Sequence, residues 1–233
     1  MIKRLLLVSV FLSAVIVTRA QEQPSSQGEP QRSYDTHRFF LGVDLMRTFP
    51  LVYNRGYVFE PSLIYKTSEH TVIDLAVGFN DIRKDKLYSN VAYANTGRYY
   101  RIGIGQFVGS HRTRFNDFNL QGALIYSDFT ETGTITFAGD NYGDLTEIKK
   151  QRNKLYILEF QPNYTLPISE RFSFNFQVRI NYVITKPDEK LFPVYYVPGA
   201  GYVQSAGDRD GIPNSNSITG GISIRVVYKF LEL

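Results

Sequence analysis

The sequence predicts an all-β protein, an eight-stranded antiparallel up-and-down transmembrane β-barrel. The first observation is the alternation over residues 171–184, where Phe172, Phe174 and Phe176 begin an apolar face and polar side chains occupy the positions between them. Successive side chains of a strand point to opposite faces, so this segment has one apolar and one polar face. Its length exceeds the ~9–11 residues with which a tilted strand crosses a bilayer. The other observations are seven similar segments and a regular alternation of short and long connections.

The N-terminal end of the chain predicts export. Lys3 and Arg4 precede an apolar run that ends at Val17, and Thr18, Arg19 and Ala20 complete the layout of a secretory signal peptide, so we expect cleavage after Ala20. Residues 21–37 are polar and without periodicity, which predicts a flexible leader before a barrel over residues 38–233. The chain contains no cysteine, so neither a lipid-modified cysteine nor a disulfide contributes.

The net charge gives no indication of a nucleic-acid partner. Three of the 26 basic residues and none of the 22 acidic residues lie in the first 20 positions, so the mature chain carries 23 basic against 22 acidic residues, a charge near +1.

Eight segments follow the two-residue period of a strand, and none of comparable length follows a helical period. The predicted strands cover residues 38–47, 57–66, 71–80, 98–108, 118–129, 154–165, 171–184 and 218–230. The connections between them number about 9, 4, 17, 9, 24, 5 and 33 residues in order. Outer-membrane barrels have short periplasmic turns and longer extracellular loops, and with eight strands both termini lie on the side of the short turns.

Alternation alone does not say which face points inward, so a soluble lipocalin-like barrel is the alternative to a membrane barrel. The polar face combines glycines such as Gly103 with balanced charge, which suits the narrow interior of an eight-stranded barrel better than a solvated surface. We therefore expect a lumen plugged by structural salt bridges, with a proton or ion path as the alternative reading. The residues of this predicted lumen charge network are Asp44, Glu60, Asp74, Arg101, Glu159, Arg179 and Arg225.

Aromatic residues near the strand ends predict interfacial girdles. They are Phe39, Tyr65, Tyr99, Phe172, Tyr182 and Tyr228.

The seventh connection, residues 185–217, is the predicted interaction surface, because loops longer than about 12–15 residues are usually functional or disordered. Its first half carries an aromatic cluster of Phe192, Tyr195, Tyr196 and Tyr202. Its second half has the Asp-x-Asp-Gly run of calcium loops, with oxygen ligands available from Asp208, Asp210, Asn214 and Asn216 but without the bidentate acidic ligand. Calcium is therefore an alternative to a plain turn, and no other cofactor is expected.

Enzymatic activity is not expected. Lipid A-modifying barrel enzymes place a histidine near the outer leaflet, whereas His37, His70 and His111 all map to the predicted periplasmic end. The chain has no cysteine nucleophile and no G-x-S-x-G elbow.

Two stretches resemble known outer-membrane proteins. Residues 222–230, ISIRVVYKF, resemble the aromatic-terminated closing strand of outer-membrane barrels, and the strand count is similar to that of barrels of OmpA/OmpX size. Residues 39–45, FFLGVDL, and 98–105, RYYRIGIG, are similar to an uncharacterised family of small Bacteroidota-type outer-membrane barrels. The resemblance implies fold and location and brings no activity. We expect a structural or interaction protein, or an accessory subunit of an envelope complex, that contacts outer-membrane lipid, lipopolysaccharide and an envelope protein partner. The alternatives are a narrow channel, a lipid A-modifying enzyme and the soluble ligand-binding barrel.

Overall fold

The computed structural model describes residues 37–48, 55–67, 71–88, 90–108, 118–137, 139, 145–185, 187, 191, 194–202, 205–206, 214–215 and 218–232. The predicted signal peptide and all of the predicted leader except His37 lie outside these residues. No helix among them is long and apolar enough to cross a membrane.

The described chain is built almost entirely from strands. Their bounds are β1 Arg38–Asp44, β2 Arg55–Phe59, β3 Pro61–Lys66, β4 Thr71–Tyr88, β5 Val91–Phe107, β6 Phe118–Phe137, β7 Leu145–Pro167, β8 Phe172–Val183, β9 Tyr196–Val197, β10 Gly201–Tyr202, β11 Ser205–Ala206, β12 Asn214–Ser215 and β13 Ile218–Glu232. One helical turn, α1, spans Leu45–Thr48.

The main sheet closes into a ring in which every pairing is antiparallel. The order is β4-β3-β1-β13-β8-β7-β6-β5, and β5 pairs with β4 to complete the circle. β2 and β3 both pair with β4 and form one position in the ring, interrupted at Glu60 before Pro61. The first and last strands meet through pairs such as Gly42 with Val227. The predicted eight-stranded antiparallel up-and-down barrel is therefore confirmed.

The apolar face that the sequence predicts for each strand forms the outer surface of the barrel. Side chains that point outward from the middle of the strands are large and exposed, with Ile102 at 57% and Val178 at 48% of their full accessibility. Others of this kind are Leu41, Leu63, Leu75, Phe79, Ile104, Leu124, Leu158, Phe176, Ile180 and Ile222. A continuous apolar exterior around a polar interior is the reverse of a soluble barrel and fits a lipid environment.

Five strand predictions are clearly wrong in their bounds. The first strand ends at Asp44 rather than residue 47, because the chain turns into α1. β4 and β5 continue toward each other until only residues 89–90 join them, where the sequence predicted a connection of about 17 residues. β6 and β7 extend likewise and leave residues 138–144 between them, instead of about 24.

The orientation of the barrel follows from these connections. Arg38 of β1 and Glu232 of β13 pair with each other at the end where only residues 67–70 separate β3 from β4 and only residues 168–171 separate β7 from β8. The extended hairpins of β4–β5 and β6–β7 lie at the opposite end. Since short turns are periplasmic in outer-membrane barrels, the extended hairpins are extracellular.

Candidate functional site

The lumen is the most heavily buried polar region of the molecule, and the seven predicted charges meet there. Asp44 ends β1, Glu60 lies at the break between β2 and β3, and Asp74, Arg101, Glu159, Arg179 and Arg225 come from β4, β5, β7, β8 and β13. All seven are buried, with no more than 3% of any residue accessible. β6 contributes the small Ala123, which pairs with Gly103 and Glu159 on its two neighbours and leaves room for the arginine side chains.

Each arginine of the network contacts at least two carboxylates. Asp74 Oδ2 accepts from Arg101 Nη2 and from Arg225 Nη1, both at 2.8 Å. Arg101 also lies 3.7 Å from Glu60 Oε1 and 3.5 Å from Glu159 Oε1. The arginines thus join acids from different strands across the lumen, which holds the barrel wall together from inside.

Arg179, like Arg101, contacts three carboxylates. Its Nε donates to Glu159, and its Nη1 lies 3.2 Å from Glu60 Oε2 and 4.0 Å from Asp44 Oδ2. Ser223 adds a hydroxyl that donates to Asp44 Oδ2 at 2.6 Å. Four acids and three arginines leave the network with a formal charge of −1, close to the neutrality that buried charges require.

Part of the seventh connection fills the extracellular half of the lumen, above the charge network. This part, residues 194–201, folds inward, and we call it the plug segment. Val194, Val197 and Ala200 are buried against barrel side chains that include Ile125 and Phe129. The segment therefore closes the barrel with an apolar core that it forms together with apolar side chains of the barrel wall.

Hydrogen bonds from three strands fix the backbone of the plug segment. Asn95 Nδ2 donates to the carbonyl of Tyr196 at 2.8 Å. Asn181 Nδ2 and Thr219 Oγ1 donate to the carbonyl of Ala200 at 3.1 and 2.9 Å. The buried carbonyls of Tyr196 and Ala200 are thus hydrogen-bonded, which offsets the cost of burying these backbone polar groups.

The expectation that the aromatic cluster of the seventh connection forms an exposed surface is wrong for Tyr196, which is 5% accessible inside the plug. Tyr195 packs against the same core while its hydroxyl accepts from Lys84 Nζ at 2.9 Å. Tyr202 lies in β10, and Phe192 lies outside the described residues. Aromatic side chains lose the most water-exposed area when buried, which favours the inward position wherever the barrel offers an apolar pocket.

Glu131 is a lumen carboxylate that the sequence did not identify. It points inward from β6, where its Oε2 accepts from Gln151 Nε2 at 3.2 Å and its Oε1 accepts from the hydroxyl of Tyr93. Burial raises the pKa of Glu131, and the hydrogen bonds that it accepts only partly offset this. The predicted strand ended at residue 129, so the alternation of side chains that assigns Glu131 to the inward face was not extended to this residue.

The calcium prediction is not tested by the structure. Asp208, Asp210 and Asn216 lie outside the described residues, and Asn214 is described only as part of β12. Within the described ranges no group of three or more His, Asp or Glu side chains is arranged to hold a metal ion.

The remaining predicted positions are the three histidines and the residues of the aromatic girdle. His37 lies at the periplasmic end, where its Nδ1 is 2.9 Å from the hydroxyl of Tyr65, and His70 and His111 lie outside the described residues. Of the predicted girdle residues, Tyr99 instead points inward and is fully buried. Phe172 and Tyr182 are exposed on the outer face, as a girdle requires.

A closed antiparallel barrel with an apolar exterior and a filled, charged lumen defines the chain as an outer-membrane β-barrel protein. No protein-family model and no curated protein sequence matches it. Among solved structures, it is similar to the N-terminal β-barrel domain of Pseudomonas aeruginosa OprF, with 8% identity, a TM-score of 0.35 and coverage of 84% of this chain and 98% of that one. It is also similar to Neisserial surface protein A (NspA), with 13% identity, a TM-score of 0.33 and coverage of 84% and 96%. These values carry no argument about function, and the fold assignment rests on the strand pairing itself.

Proposed function

We propose that the protein is a closed interaction protein of the outer membrane, or an accessory subunit of an envelope complex, that binds a protein partner through the extracellular β6–β7 hairpin. In this proposal it is exported by its signal peptide and has no enzymatic role, and its resemblance to small Bacteroidota-type barrels stays a prediction.

The observation that carries the proposal is the length of β6 and β7, which have 20 and 23 residues. A tilted strand crosses the bilayer with ~9–11 residues, so roughly half of each strand is not needed for the crossing. The paired stretch from Phe129–Asn153 to Phe137–Leu145 contains nine residue pairs, which correspond to roughly 30 Å of extended strand. Its lower pairs, around Glu131 and Gln151, line the lumen, and its upper pairs up to Phe137–Leu145 continue as regular strands rather than as a loop.

The projecting hairpin has two properties of a protein-binding element. Leu145 and Ile148 are 68% and 69% accessible, although both are apolar. β8 pairs with β7 only from Ile157 onward, and no other described strand pairs with the preceding part of that edge. An edge that no described strand covers, with apolar side chains beside it, favours strand addition by a partner protein.

Site-specific photo-crosslinking in the native envelope tests this proposal. A photoreactive amino acid in place of Ile148 is expected to give one discrete protein adduct. Ile168 provides the matched control, because it is also an exposed isoleucine, at 58% accessibility, but lies in a turn at the periplasmic end. The same adduct from both positions, or none from position 148, would contradict the proposed role of the hairpin.

A second expected result concerns conductance. The charge network and the plug segment fill successive levels of the lumen, so the purified full-length protein is expected to show no stable unit conductance in planar bilayers. Heat-modifiable gel mobility would establish that the reconstituted barrel is folded. Stable, large unit conductance from that folded protein would favour the channel alternative instead.

A further inference from the structure

The outer surface of β5, β6 and β7 changes chemistry in three successive rows of directly paired residues. The lowest row is apolar and consists of Ile102, Leu124 and Leu158. The next row is aromatic and consists of Tyr100, Tyr126 and Tyr156. The third row is charged and consists of Arg98, Asp128 and Lys154. Each step is two residues along the strand, or about 6.6 Å before tilt is considered.

The tyrosine row marks the boundary of the outer leaflet. Tyrosines concentrate at membrane–water interfaces, where the ring contacts the acyl region and the hydroxyl contacts water. Tyr126 and Tyr156 lie side by side on the outer face, with ring centroids 5.3 Å apart. The charged row directly above them therefore lies at the depth of the lipid head groups.

Arg152 completes this group, which we call the outer cluster: Arg98, Asp128, Arg152 and Lys154. Arg152 holds Asp128 with two hydrogen bonds, Nε to Oδ1 at 2.8 Å and Nη2 to Oδ2 at 2.6 Å. The hydrogen bonding by Arg152 lowers the pKa of the Asp128 carboxyl, and the positive charges of Arg152, Lys154 and Arg98 lower it further. The carboxylate is thus ionised at neutral pH, and three cations around one anion leave a surplus of +2.

The surplus charge is exposed. Arg152 has 61% of its side chain accessible, and Arg98 and Lys154 are exposed on either side of β6. Within the described part of the chain, neither Arg98 nor Lys154 has a carboxylate within 4.0 Å, whereas at the periplasmic end Arg38 and Lys229 share Glu232. Among the described residues, Arg98 and Lys154 therefore form an uncompensated pair of cations at the extracellular end, whereas Arg38 and Lys229 at the other end are compensated by Glu232.

We propose that the outer cluster is a binding site for the phosphate groups of an anionic glycolipid in the outer leaflet. Arg98 and Lys154 flank β6 about 10 Å apart, which is two interstrand spacings. Guanidinium groups form forked hydrogen bonds with phosphate oxygens, and an ammonium adds a point charge. Asp128 orients Arg152, and the tyrosine row contacts the acyl chains below the head group. This site requires the outer-membrane location but not the proposed hairpin partner.

Titration of the delipidated full-length barrel with purified lipopolysaccharide, followed by native mass spectrometry, tests the site. The double variant Arg98→Gln/Lys154→Gln leaves the Arg152–Asp128 pair intact and is expected to bind about tenfold more weakly, since it loses two exposed charge contacts that contribute roughly threefold each. The control Arg171→Gln/Lys229→Gln makes the same change of charge at the periplasmic end and is expected to bind as the wild type does. Heat-modifiable mobility identifies the folded fraction of each variant.

Two further lipids determine whether phosphate on a glycolipid is the feature recognised. Dephosphorylated lipid A is expected to bind weakly and equally to the wild type and the cluster variant. Phosphatidylglycerol vesicles are expected to show a smaller difference between the two proteins than lipopolysaccharide does. Equal lipopolysaccharide binding by the wild type and the cluster variant would overturn the site, and so would an equally large loss with phosphatidylglycerol, which would indicate a general anionic surface.

Discussion

Replacement of Arg179 by methionine is expected to lower the free energy of unfolding by about 3–5 kcal/mol, the usual cost of removing one partner from a buried ion pair. Arg179 contacts Glu159, Glu60 and Asp44 inside the lumen. Methionine keeps much of the side-chain volume but leaves four acids with two arginines. The buried carboxylates then lose a partner without gaining water, which is the source of the large effect.

Urea unfolding of the reconstituted barrel, followed by heat-modifiable gel mobility, would measure this loss. Arg83→Met is the matched control, because Arg83 also pairs with a carboxylate, Asp81 at 3.2 Å, but has 66% of its side chain exposed. Water screens such a pair, so the control is expected to leave stability essentially unchanged. Adding Glu159→Gln to Arg179→Met is expected to recover part of the loss by removing one unpaired charge. Equal stability of the two single variants would show that the lumen pairs contribute no more than surface pairs.

The residues of the charge network could be predicted from the sequence, because their inward position depends only on the alternation of side chains along each strand. Within the membrane-spanning segments the outward face is apolar, so every charged residue of the opposite parity must point into the lumen. Arg179 and Arg225, for example, alternate with apolar neighbours on β8 and β13. The partners of each arginine were not predictable, because Arg179 and Glu60 are separated by 119 positions in the sequence and meet only when the ring closes.

The extended hairpins could not be predicted from the sequence, because the apolar side chains change from the outward face to the inward face of the strands above the membrane. On β6, Leu124 and Tyr126 point outward, whereas farther along the same strand Phe129 is the buried apolar residue and Asp128 points outward. The extracellular half is surrounded by water and filled by the plug segment, so it follows the pattern of a soluble barrel. A search for one continuous apolar face stops where the two patterns meet.

The inward fold of the plug segment is also invisible to local pattern. Nothing near Tyr196 indicates that Asn95, 101 positions away, donates to its carbonyl. A glycine allows a close approach of the segment to the barrel wall. Gly199 has a φ of +89°, and a Cβ at this position would lie 2.9 Å from Ile125 Cγ2. The aromatic composition of the seventh connection indicated contact, but contact with the lumen and contact with a partner give the same sequence pattern.

Gly78→Ala is expected to lower the free energy of unfolding by about 1–3 kcal/mol, the range for overpacking a filled core. Gly78 on β4 pairs directly with Tyr99 on β5, and the tyrosine ring lies across the glycine. A Cβ at position 78 would lie 1.9 Å from Cζ of that ring, so the ring must move. Tyr99 is fully buried and donates its hydroxyl to Glu60, which ties the ring to the charge network.

Gly103→Ala is the matched control for this prediction, since Gly103 also points into the lumen and pairs with β4. A Cβ there would meet its nearest atom, Ala123 Cβ, at 3.4 Å, which is an ordinary contact. This variant is expected to be neutral or slightly stabilising, because alanine restricts the unfolded chain more than glycine does. Adding Tyr99→Leu to Gly78→Ala is expected to cost less than the two single losses together, since both act on one contact. Strict additivity, measured by urea unfolding, would show that Tyr99 does not depend on Gly78 for its position over Glu60.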